Sequence, residues 1–170
     1  MNFDDELPDE STEAGSDELL SDDNLRLPES ASPLVRLHAI RAWLTRRKME
    51  TTIEIGEAAL TLQSILQQEP QEVRLRRRER QGYAEQTQHA QQMLTEAQQR
   101  LSAYEEAQSL LEDCVAHTTS GERVLVEYYL TLDEMIQNRM QAGEPAHAVQ
   151  LQALIEVQHR IERVGTPHEG

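Results

Sequence analysis

A chain of 170 residues with a formal charge of −15 has room for one folded domain and a tail, and its acidity raises the cost of approaching a polyanion. One Trp, one Phe and four Tyr argue against a large globular core and for long helices sharing narrow seams. The single Cys114 excludes an internal disulfide and a cysteine-based zinc site, so a reducing, cytoplasmic setting is expected.

The charge is uneven. Residues 1–30 hold eleven acids and one base, Arg26. With Pro8, Gly15 and Pro28 and little periodic apolar signal, residues 1–31 read as a disordered acidic tail that cannot bury enough surface to offset its ordering entropy. The exception is Asp17-Glu18-Leu19-Leu20 followed by Leu25 and Leu27, an acidic–apolar patch suited to folding on a partner. No basic stretch followed by an apolar run opens the sequence, so no secretory signal is expected. The most apolar stretch, Val124 to Ile136, is broken by Glu127, Asp133 and Glu134, which excludes it as a membrane span.

The first helix starts at Ser32, a good N-cap, with Pro33 in the first helical position, where no amide donor is needed. Leu34, Leu37, Ile40, Trp43 and Leu44 share one face, which Met49, Ile53, Gly56, Leu60, Ile65 and Leu66 continue with drift. Arg36, Arg41, Arg46, Arg47 and Lys48 make the first half basic, and Glu50, Glu54 and Glu57 make the middle acidic. Pro70 disfavours helical geometry at Glu69 and sets an end near Gln68. Pro70 either kinks one rod or opens the second arm of an antiparallel hairpin. Folding at 69–70 sets Tyr83 against Gly56, Ala97 against Trp43, and Tyr104 near Leu34 and Val35. That large-to-small matching favours the hairpin.

From Val73 to Val115, three- and four-residue steps pick out Val73, Arg76, Arg80, Tyr83, Thr87, Ala90, Leu94, Ala97, Leu101, Tyr104, Gln108, Leu111 and Val115. This is a heptad seam of the coiled-coil kind, apolar only in its second half. Thr118 to Gly121 stops that helix, and Thr119 with Glu122 makes a capping box for the next. The third helix is the most apolar, with Val124, Leu125, Tyr128, Tyr129, Leu132 and Ile136. Gly143 ends it, and Pro145 begins a fourth helix carrying Val149, Leu151, Leu154, Ile155, Gln158 and Ile161 and ending at Gly165. The expected division is a tail (1–31), a hairpin or coiled-coil stalk (32–118), a C-terminal helical hairpin (119–165) and a disordered end (166–170). Residues 104–118 with the last two helices should form a three-helix core.

The most basic stretch is Arg74, Arg76, Arg77, Arg78 and Arg80. It suits a solvated face, the acidic tail of its own chain, an acidic protein surface, or phosphates, in that order. The acidic tail has a second acceptor in Arg46-Arg47-Lys48. The glutamines between 71 and 99 suit an exposed helix face or weak multivalent association. The Glu-x-x-His pairs Glu144/His147 and Glu156/His159 have metal-site spacing, but a di-iron bundle needs them on two helices, and both fall at the last one. Asp113, Cys114 and His117 at a helix end make no catalytic set. No Ser/His/Asp order, phosphate loop or Cys-x-x-Cys appears, so neither an enzyme nor a cofactor is expected.

The sequence therefore reads as an all-α coiled-coil adaptor or assembly protein acting through protein partners and self-association, with a dimer as the first expectation. Its interaction residues are placed at Leu94, Leu101, Tyr104, Leu111, Tyr128, Tyr129, Leu132 and Ile136. In layout (charged tail, Gln-rich helix, terminal helical module) the chain resembles phage scaffolding proteins and the carboxysome-positioning adaptors that pair with a ParA-type ATPase. The resemblance implies a role in templating or positioning a larger assembly. A regulator touching nucleic acid through Arg74–Arg80 is the alternative from another class.

Overall fold

The computed structural model of the chain describes residues 17–68 and 77–165. Every regular element among them is helical: α1 (Pro33–Gln67), α2 (Arg77–His117), α3 (Gly121–Ala142), a 3-10 turn (Pro145–His147) and α4 (Ala148–Val164). One helical turn over residues 17–20 precedes them. No helix of the described residues is long and apolar enough to cross a membrane.

The helix boundaries follow local chemistry. The Ser32 hydroxyl accepts from the Val35 amide, and Pro33 occupies the first turn of α1. Between α2 and α3 the cap is Ser120, which makes no side-chain cap bond, so the expected Thr119–Glu122 box is not formed. Thr118 Oγ1 instead donates to Glu127 Oε2 at 2.6 Å. Gly121 opens α3 close against Pro33, where a Cβ would stand 3.0 Å from the Pro33 ring. Gly143 closes α3 in the left-handed conformation at φ 61°. Pro145 starts the 3-10 turn, and α4 proper begins at Ala148.

α1 and α2 run antiparallel along each other. Arg41 pairs with Glu112, Lys48 with Gln108, and Glu54 with Arg100. The register differs from a fold at 69–70. Trp43 meets Tyr104 edge-on, with centroids 6.1 Å apart, in place of Ala97 seven residues earlier. The three polar pairs are displaced by about two heptads from that fold, and a slide by whole heptads preserves the large-to-small alternation of the seam, so that alternation cannot fix the register. The Trp43 contacts and the cross-helix ion pairs do.

The α2 seam is as read from Tyr83 onward: no member from Tyr83 to Val115 is exposed, and Ala90, Ala97, Tyr104 and Leu111 are buried. Arg80 is exposed, while Val73 and Arg76 lie outside the described residues. The inward stripe of α1 is corrected. Leu44, Lys48, Thr51, Ile55, Ala58, Leu62 and Ile65 turn inward at strict four- and three-residue steps. Leu34, Met49, Ile53, Leu60 and Leu66 are exposed. The five-residue step from Leu44 to Met49 turns the stripe by about 140° onto the outer face, far more than the roughly 20° per seven residues by which a straight helix drifts off a heptad.

One core joins all four helices at one end of the molecule. Leu37, Ile40, Trp43 and Leu44 of α1 meet Ala103, Tyr104, Ala107 and Leu111 of α2. Val124, Leu125, Tyr128, Leu132 and Ile136 of α3 and Leu154, Val157, Ile161 and Val164 of α4 complete it. The expected three-helix core thus has a fourth wall, the first part of α1. The small Ala103 and Ala107 make room for Tyr128, whose hydroxyl, buried, donates to the Ala107 carbonyl at 2.9 Å. Beyond this head the rest of α1 and α2 forms a two-helix arm, in which only Thr51, Ala90 and Ala97 are buried.

Candidate interaction sites

The acidic segment 17–31 is a strap, not a solvated tail; residues 1–16 lie outside the described residues. Leu20, Leu25 and Leu27 pack on the head, and Ser21 is buried. Basic side chains of α1 and α4 bind the strap largely through its backbone carbonyls. Arg160 donates to Leu20 and Asp22, Arg163 to Asp23, and Arg46 to Ser21. His38 Nε2 stands 2.7 Å from an Asp17 carboxylate oxygen.

Asp23 is the side-chain anchor. Its carboxylate accepts from the Trp43 indole at 2.6 Å and faces Arg47 at 3.7 Å. Partial burial pushes its pKa up, but the Trp43 hydrogen bond and the Arg47, Arg46 and Arg160 charges together hold it below the ordinary value. Arg47 and Arg160 lie over the Trp43 ring, 5.3 and 5.9 Å from its centroid. Burial lowers the Arg160 pKa, partly offset by Asp23 and Asp22.

Arg36 closes the strap. Only 8% exposed, it donates to the carbonyls of Pro28, Glu29 and Ala31 on one side and of Val164 and Gly165 on the other. The strap, the start of α1 and the end of α4 therefore share one guanidinium. Gly165 suits this place because its φ of 80° is a backbone conformation that side chains rarely adopt.

The sequence-derived interaction residues are mostly internal. Tyr104, Leu111, Tyr128, Leu132 and Ile136 are buried in the chain's own core, and Leu94, Leu101 and Tyr129 are half-buried. Tyr104 donates to Glu156 at 2.7 Å and Tyr129 to Glu162 at 2.9 Å, so both hydroxyls are engaged within the chain. Helix α3 has neighbours on several sides, as its apolarity suggested, and they are α1, α2 and α4. In the basic cluster, Arg77, Arg78 and Arg80 are exposed at the start of α2, while Arg74 and Arg76 lie outside the described residues.

The outward apolar surface lies elsewhere. Met49, Ile53 and Leu60 are 60%, 55% and 67% exposed on the face of α1 turned away from its inward seam. Ala42, Thr45 and Met49 line a hollow of about 910 Å³ between α1 and the helical turn at 17–20. A groove of about 520 Å³ between the arm helices is lined by Ala58, Ile65, Ala90, Met93 and Ala97, with Glu54, Glu57, His89 and Arg100 beside them. The signal that could have located the outward face was the second seven-residue spacing in α1, Met49 to Gly56 and Ile53 to Leu60.

The metal-type pairs do not converge. Glu144 and His147 contact each other at 2.9 Å, Glu156 accepts from Tyr104, and His159 is exposed. Among the described residues no three metal-ligating side chains cluster. Burial, then the carboxylates of Glu127 and Asp113, push the Cys114 thiol up, away from nucleophile chemistry.

These features define a class, an all-α protein with a four-helix head clasped by an acidic strap and a two-helix arm. Comparison with family models, curated proteins and solved structures finds no match to this chain.

Proposed function

We propose that this chain is a non-enzymatic, coiled-coil adaptor or assembly protein of the cytoplasm that pairs with a second copy through its arm. The observation that supports this is the exposed apolar row Met49, Ile53 and Leu60 on the outer face of α1. The inner face of α1 is already matched to α2, so the outer row has no partner within the described residues. Apolar rows of this kind on a helix mark association surfaces. Pairing of two arms leaves both heads free to hold other proteins, which is the geometry of an adaptor or of a scaffold for a larger assembly.

Light scattering behind size exclusion tests the reading. The full chain should run as a dimer or higher oligomer, and Ile53→Glu with Leu60→Glu should run as a monomer with unchanged far-UV circular dichroism. A monomeric full chain at tens of micromolar refutes it.

A second reading, nucleic-acid contact, draws on the exposed Arg77, Arg78 and Arg80. It requires duplex binding that weakens steeply with salt, and salt-insensitive or absent binding excludes it.

A further inference from the structure

We propose that the exposed arginines at the start of α2 are a docking site for the acidic amino-terminal segment, residues 1–16, of a second copy of this chain. The inference deepens the self-association reading and rests on it for the geometry of pairing.

Three observations carry it. First, Arg77, Arg78 and Arg80 are exposed and form no ion pair with any described residue. Most of the basic groups on the head are, by contrast, already engaged: Arg36, Arg46, Arg47, Arg160 and Arg163 bind the strap, neighbouring carboxylates or helix-end carbonyls, and Arg41 binds Glu112. Second, residues 1–16 contain Asp4, Asp5, Glu6, Asp9, Glu10 and Glu13 and no base. The strap that follows them shows how this chain binds acidic segments, through arginine.

Third, most of the segment's acids fall short of their own arm tip. It leaves the described part at Asp17, which touches His38. From His38 to the end of α1 at Gln67 is about 44 Å along the helix. Counted back from Asp17, even a fully extended chain reaches only about 14 Å at Glu13 and about 29 Å at Asp9. Only Asp4 and Asp5 approach the required span. Glu6, Asp9, Glu10 and Glu13 therefore cannot reach their own arm tip, and Asp4 and Asp5 reach it only with the chain fully extended, so the segment of a neighbouring molecule serves the arginines better.

Pairing of two copies through the outer row of α1 supplies that molecule. The row from Met49 to Leu60 has its midpoint between Glu54 and Ile55 in sequence. An antiparallel pairing centred there sets His38 of one copy just beyond Gln67, the end of α1, in the other. Each acidic segment then starts next to the other copy's arm tip, and the contact closes on itself as a two-fold dimer requires.

The test titrates a fluorescein-labelled synthetic peptide of residues 1–16 with the full chain at low salt and follows anisotropy. Saturable binding is expected. It should weaken by about tenfold in the full chain carrying Arg77→Gln, Arg78→Gln and Arg80→Gln, as three exposed ion pairs of ordinary strength imply. Arg123→Gln, an exposed arginine on α3, should leave it unchanged. A full chain in which the six acids of residues 1–16 are Asn or Gln should bind the peptide more tightly, because its own segments no longer compete. Equal binding by the triple variant, or by a peptide with its acids neutralised, overturns the proposal. So does a short DNA duplex that binds the arginines more tightly than the peptide. The peptide reports on the arm tip alone and light scattering on the α1 row, so a chain that binds peptide yet stays monomeric refutes the row and not the site.

Discussion

Exchanging Arg36 for methionine keeps the aliphatic stem and removes a guanidinium that donates to five backbone carbonyls. Hydrogen bonds to a charged donor contribute about 1.5–3 kcal/mol each in isolation, but five from one group are far from additive. On losing Arg36, the carbonyls of the exposed Pro28 and Glu29 turn to water, whereas Val164 is fully buried and its carbonyl stays unsatisfied at about 1–3 kcal/mol. The net expectation is about 2–4 kcal/mol lost, well below the sum of five bonds. Urea unfolding followed by circular dichroism at 222 nm measures it. Trp43, the only tryptophan, adds a local reporter, since its indole is buried and bonded to Asp23 of the strap. Release of the strap should shift its emission to the red before the helices melt. Arg36→Lys, which keeps the charge but not the fork, should fall between wild type and Arg36→Met. A methionine variant within about 0.5 kcal/mol of wild type, with unshifted emission, refutes the clasp.

Acid should open the strap in a defined direction. The Asp23 pKa is depressed on folding, so its contribution is complete above the unfolded value of 3.8 and lost as pH falls through the lower folded value. Trp43 emission should therefore hold from neutrality to about pH 5 and move red only below about pH 4, and Asp23→Asn should be red-shifted throughout; a midpoint near pH 6 contradicts the assignment. In the head, Leu132→Ala removes a fully buried side chain and should cost about 2–5 kcal/mol, whereas Leu130→Ala, at a position 60% exposed, should stay within about 0.5 kcal/mol. Equal losses at the two sites, measured by urea unfolding, would contradict the placement of α3.

Local rules determine a good deal of this molecule. Ser32-Pro33, Gly143 and Gly165 act within a few residues of themselves, so helix ends are legible from the chain alone. The α2 seam from Tyr83 to Val115 is legible too, because a heptad sustained over several repeats marks one face of one helix without reference to its neighbours. Three things depend on the tertiary structure. The register of α1 on α2 is degenerate under a slide by whole heptads and is fixed by the Trp43 contacts and long-range ion pairs. The inward stripe of α1 is set by which face packs on α2, a face that such a slide leaves unchanged, and Thr51 and Ala58 lie on it while Ile53 and Leu60 do not. The strap is hidden for a different reason. Its acids look solvated in sequence because the arginines that bind it come from positions as distant as 160 and 163, and they bind mainly carbonyls, which every residue possesses and no composition reveals.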